Sequence, residues 1–112
     1  MHRTCRSRWF GMLFMAATMA CTPVPPRDLV ERDDHTALMA WYAQEAERLR
    51  EKADEMRRMA EAYSKPAYQL SPKEYRDELI RHCLLFIKYY SEAAVEADSL
   101  AHLHHEAANA IP

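Results

Sequence analysis

Between His35 and Tyr63 the apolar residues recur with the period of an α-helix. His35, Tyr42, Leu49, Met56 and Tyr63 fall every seven residues, and Met39, Ala46, Ala53 and Ala60 form a second row four positions on. Together they make one apolar stripe, while Glu45, Glu47, Arg48, Arg50, Glu51, Lys52, Arg57 and Arg58 mostly take the remaining surface. Small side chains in the Ala row let a partner helix approach closely. Asp33-Asp34 supplies cap candidates before the stripe and Pro66 stops it, so a first helix is expected over 34–64.

A second start signal follows. Ser71-Pro72-Lys73-Glu74 sets a cap, a Pro at the first helical position and a capping-box Glu in register, with Leu70 and Tyr75 at the staple positions. The second helix is expected over 72–108, with 65–71 as the turn and 109–112 as a tail. Its apolar face contains Leu79, Ile80, Cys83, Phe86, Ile87, Tyr90, Ala93, Ala94, Ala97, Leu100 and Ala101. A connection this short joins antiparallel neighbours. The expected fold is therefore all-α, a long coiled-coil-like hairpin of two antiparallel helices. The second face is wider than one helix can cover, which suggests pairing of two hairpins into a homodimeric four-helix bundle. Tyr42, Leu49, Met56, Leu79, Cys83, Phe86 and Tyr90 are the expected core and interface residues.

Composition agrees with helix. The 112 residues suit one small domain and include a single glycine, Gly11. Everything after it lacks the residue that tight hairpin turns, phosphate-binding loops and dinucleotide fingerprints require. With 15 basic and 17 acidic residues, no electrostatic argument favours a nucleic-acid partner.

The N-terminus has a different character. Arg3, Arg6 and Arg8 precede the apolar run from Phe10 to Ala20, which ends at Cys21. A basic region, a short apolar region and small residues make an export signal over 1–20. This eleven-residue run rises only about 16 Å, too little to span a membrane core of roughly 30 Å. Ala17-Thr18-Met19-Ala20-Cys21 resembles the lipobox of bacterial lipoproteins, with Thr18 in place of the usual Leu. That resemblance implies lipidation of Cys21 and a membrane anchor in the cell envelope. Thr22 after the Cys resembles the pattern for sorting to the outer membrane, facing the periplasm. Ordinary signal-peptide cleavage at the same bond is the alternative. Thr22-Pro-Val-Pro-Pro26 favours lipidation, since it looks like the stiff spacer that follows a lipidated Cys, and 21–33 is expected to be a tether. Without 1–20 the chain keeps all 17 acids and 12 basic residues, a formal charge of −5.

Asp34-His35, Leu38 and Tyr42 before Met56, Met59 and Ala60, then His82-Cys83, Tyr90 and Ala93-Ala94, look like a group of small exported proteobacterial proteins. The group has no assigned activity, so the resemblance implies fold and location only.

Five histidines lie beyond the leader: His35, His82, His102, His104 and His105. Folding the hairpin about 67–69 brings His35 beside 100–104. His35 and His104 then point into the seam, His105 sits at its edge and His102 points away. With Met39 one turn inward, this end could hold Cu or Zn, and Asp34 could accept an imidazole proton. The plainer reading is a set of helix-end histidines that complement the helix dipole. Adjacent helical residues point about 100° apart, so His82 and Cys83 do not form a nucleophile–base pair. Cys83 is expected to be buried. No acid–base pair or nucleophile constellation points to an enzyme. Two classes of function remain: an envelope interaction module with an unidentified periplasmic protein partner, or a periplasmic metal-binding protein using His35, His104, His105 and Met39.

Overall fold

The computed structural model describes residues 24–68 and 72–110. All regular structure among them is helical: α1 (Arg27–Glu31), α2 (His35–Ser64), a 3-10 turn (Pro66–Tyr68) and α3 (Lys73–Ala110). At 1.5 Å per residue, α2 is about 45 Å long and α3 about 57 Å. The two pack along each other as an antiparallel hairpin.

The stretch over 21–33 is not purely a tether, because α1 forms within it. Two exposed i,i+4 ion pairs, Arg27 with Glu31 and Arg32 with Asp28, accompany this helix. Its end has the hydrogen bonds of a Schellman motif: Asp34 N–H donates to the Leu29 carbonyl at 3.0 Å, and Asp33 N–H to that of Val30 at 3.1 Å. Asp33 holds the left-handed position with φ 55°, normally a glycine site. Aspartate tolerates this backbone better than most residues, which is how a glycine-free segment makes the turn.

Asp34 then caps α2. Its Oδ1 accepts the Ala37 N–H at 3.1 Å, satisfying one of the first-turn donors. At the far end Lys65 is extended, with φ −74° and ψ 152°. Pro66 imposes this, since its ring disfavours helical geometry in the preceding residue. The start of α3 uses the Pro72 carbonyl, which accepts from Tyr75 N–H at 3.1 Å and Arg76 N–H at 3.3 Å. Leu70 and Ser71, of the expected staple and capping box, lie outside the described residues, and Tyr75 is exposed.

Small residues fill the seam. The buried apolar residues are Leu38, Ala46, Leu49, Ala53 and Ala60 from α2, with Cys83, Ala94 and Ala97 from α3. Ala46, Leu49, Ala94 and Ala97 form one cluster, with Tyr90 packed against it. Alanine at the contact lets helix axes come to the near end of the usual 8–10 Å range.

The large apolar residues of α3 are distributed otherwise. Leu79, Phe86 and Leu100, expected on the packed face, are exposed, and so is Ala93. They stand seven residues apart, each four positions before Cys83, Tyr90, Ala97 and His104 of the seam, and so one turn to its side. Tyr89 and Leu103 extend this outer stripe, 57% and 58% exposed. One helix covers only the narrow, small-residue part of a wide apolar face.

Candidate functional site

The two flanks of the hairpin differ in chemistry. On one, Arg50 bridges Glu47 of its own helix and Asp98 of α3, and Arg57 pairs with Asp54. On the other, a shallow groove is lined by Trp41, Tyr42, Glu45, Leu49, Ala93, Glu96, Ala97 and Leu100. Arg48 pairs with Glu45 at its edge. Further toward the turn, Phe86 stacks on Tyr90 with ring centroids 5.7 Å apart, and Lys52 Nζ lies 5.8 Å from the Tyr90 ring centre. The groove and the outer stripe of α3 form one apolar surface with charges of both signs at its margin.

At the open end, four rings connect in series from α2 to α3 and back. Trp41 meets Tyr42 edge-on at 4.9 Å, Tyr42 stacks on His104 at 5.6 Å and 7°, and His104 lies 5.3 Å from His35. Such ring contacts fix orientation as well as burying area. His35 Nδ1 and His104 Nδ1 are 3.0 Å apart, although 69 residues separate them in sequence. This distance requires one nitrogen to carry the hydrogen and the other to offer its lone pair. On the far side of the first ring, His35 Nε2 is 3.4 Å from Asp33 Oδ1. The His35 side chain is 18% exposed.

The other expected site residues fall elsewhere. His105 is exposed and pairs with Asn109 at 3.1 Å, so it is directed along α3 and not to the pair. His102 faces Glu106 at 3.3 Å. Met39 is half-buried one turn from His35. Asp34, expected to accept from an imidazole, accepts the Ala37 amide, and its neighbour Asp33 is the carboxylate nearest the His35 ring. Among the described residues, no group of three or more His, Cys, Asp or Glu gathers to hold a metal.

Tyr42, Met56 and Tyr90 are half-buried, while Leu49 and Cys83 are buried. His82 is exposed and lies 3.3 Å from Glu78. Glu78 also pairs with Arg81, and that hydrogen bond holds its carboxyl below the ordinary carboxylate value. Arg81 is correspondingly raised by Glu78. Cys21 and the expected leader lie outside the described residues, and no helix among the described residues is long and apolar enough to cross a membrane.

Comparison with known proteins adds no relative: no family model, no curated protein and no solved structure matches the chain.

Proposed function

We propose that this protein is a non-enzymatic interaction module of the bacterial cell envelope. In this reading, Cys21 carries the lipid anchor, 22–26 form the stiff spacer, and the hairpin stands in the periplasm. The hairpin docks through the apolar flank formed by α3 and the Trp41 groove, and its partner is a second copy of the chain.

The observation that carries the reading is the uneven distribution of side-chain size on α3. Alanines occupy the seam, while Leu79, Phe86, Tyr89, Leu100 and Leu103 stay exposed on the groove side, against Leu84 and Val95 elsewhere on α3. A contiguous apolar surface of this kind marks an interaction site. A two-helix hairpin with so small a core is also marginal alone, and a second hairpin extends that core. The flank is self-complementary in chemistry. It offers large apolar side chains beside a groove that can receive them, and both Glu45 and Glu96 and the cation Lys52 at the margin. A twofold dimer would place like surfaces together in this way.

Light scattering at micromolar concentration tests the association. A dimer is expected, and Phe86→Glu with Leu100→Glu is expected to give a monomer. A monomeric parent with full helicity refutes the pairing. The anchor has its own test. Intact mass of the membrane-fraction protein is expected to show an acylated Cys21 N-terminus, and an unmodified one removes the lipoprotein part.

A further inference from the structure

We propose that His35 and His104 form a bis-imidazole site for a divalent transition-metal ion, Zn²⁺ or Cu²⁺, at the open end of the hairpin. The site uses the Nδ1 atom of each ring. Imidazole nitrogens bind these ions at about 2.0–2.1 Å, so two on one ion stand about 2.8 Å apart at a right angle and about 3.3 Å apart in a tetrahedron. The observed 3.0 Å falls between the two. The spacing therefore suits two ligands of one ion; the ion sits off the line joining the nitrogens, so each ring turns by roughly 35–45° to aim its Nδ1 lone pair at it.

The proton arrangement also suits this. Binding needs both Nδ1 lone pairs, with the hydrogens on Nε2. Asp33 Oδ1 lies 3.4 Å from His35 Nε2, and its negative charge there suits a hydrogen on that nitrogen. In the metal-free pair His104 is then the donor. Metal entry releases its Nδ1 proton and a proton is taken up at its Nε2, so each ring remains neutral. The His104 ring is held by the Tyr42 stack, and His35 sits at the first position of α2 beside the Asp34 cap. This preorganisation lowers the ordering cost of binding. Asp33 and Asp34 add negative charge close by.

With two protein donors, the remaining coordination positions fall to water. The site is open and exchangeable, and Cu²⁺ is expected to bind more tightly than Zn²⁺. Bound metal joins the first turn of α2 to the last turns of α3. His102 and His105, engaged by Glu106 and Asn109, stay outside the site.

The test is Zn²⁺ titration of the full chain, followed by the ring nitrogen resonances of each histidine. His35 and His104 Nδ1 are expected to shift together and saturate at one equivalent, with both rings as Nε2–H tautomers. His35→Asn or His104→Asn is expected to weaken binding by about tenfold or more, while His102→Asn stays within about twofold. Asn is chosen because it keeps a hydrogen-bonding group at the contact. Equal affinity in either Asn variant, or shifts at His102 or His105 as large as those at His35 and His104, overturns the proposal. Should a variant lose helicity, the parent's resonances decide alone: joint Nδ1 shifts support the site and unshifted rings refute it.

Discussion

Replacing Ala46 with Leu tests whether the seam is closed by small side chains. Ala46 has 0% exposure and packs in the cluster of Leu49, Ala94 and Ala97. Leucine adds three carbons. Buried without strain they would contribute about 0.8 kcal/mol each, but the seam has no room for them. They must push α3 outward, so Leu49, Ala94 and Ala97 lose contacts that fall off steeply with distance. Overpacking of this kind costs about 1–3 kcal/mol. In a domain of this size each kcal/mol is about 4–8 °C in Tm, so Ala46→Leu is expected to melt about 4–24 °C lower. The control is Ala43→Leu, at an exposed position three residues earlier on the same helix. It has the same chemistry and nearly the same helix propensity, and its expected effect lies within about 0.5 kcal/mol. Thermal melts at 222 nm and one fixed protein concentration provide the comparison. Equal melting of the two variants, or a stabilised Ala46→Leu, refutes the close-packed seam.

Three more expectations follow from single contacts. Asp34→Ala removes the cap on Ala37 and is expected to cost about 1 kcal/mol, read from the urea midpoint; no change would mean another group satisfies that amide. The Cys83 thiol is buried, so alkylation is expected to be slow in the folded protein and fast in denaturant; equal rates would place it at the surface. The Glu78 carboxyl is expected to titrate below an ordinary glutamate because Arg81 donates to it, and Arg81→Ala to return it upward. The sign follows: the Glu78 contribution is present above the ordinary carboxylate value and is lost as pH falls through the lowered one. A carboxyl NMR titration unmoved by Arg81→Ala would contradict this.

The sequence was most informative where local rules act alone. Asp34 and Pro66 bound α2 because a cap and a missing N–H are properties of those residues and their immediate neighbours. The approach of His35 to His104 follows from folding two stiff rods about a short turn. What could not be read was the rotation of α3 about its own axis. Ala93 and Ala94 both lie on the apolar face, yet Ala94 is buried and Ala93 exposed. Residues one turn or one step apart are equivalent in a pattern of apolar positions, and two alanines have the same size, so only the docking of α3 on α2 separates them. The left-handed Asp33 was hidden for a related reason. Aspartate caps helices far more often than it replaces glycine after one, and here Asp33 and Asp34 divide those two tasks. His105, expected at the edge of the seam, is exposed, and its ring pairs with Asn109 one turn on.

Melting at different protein concentrations tests the paired hairpin most directly, since only an associated species gains stability by mass action. Raising the concentration a hundredfold adds about 2.7 kcal/mol per dimer. Divided by the unfolding entropy of two such chains, this is a rise in Tm of about 7 °C. The paired hairpin predicts that rise, and its loss in Phe86→Glu with Leu100→Glu. A Tm independent of concentration in the parent protein would contradict it.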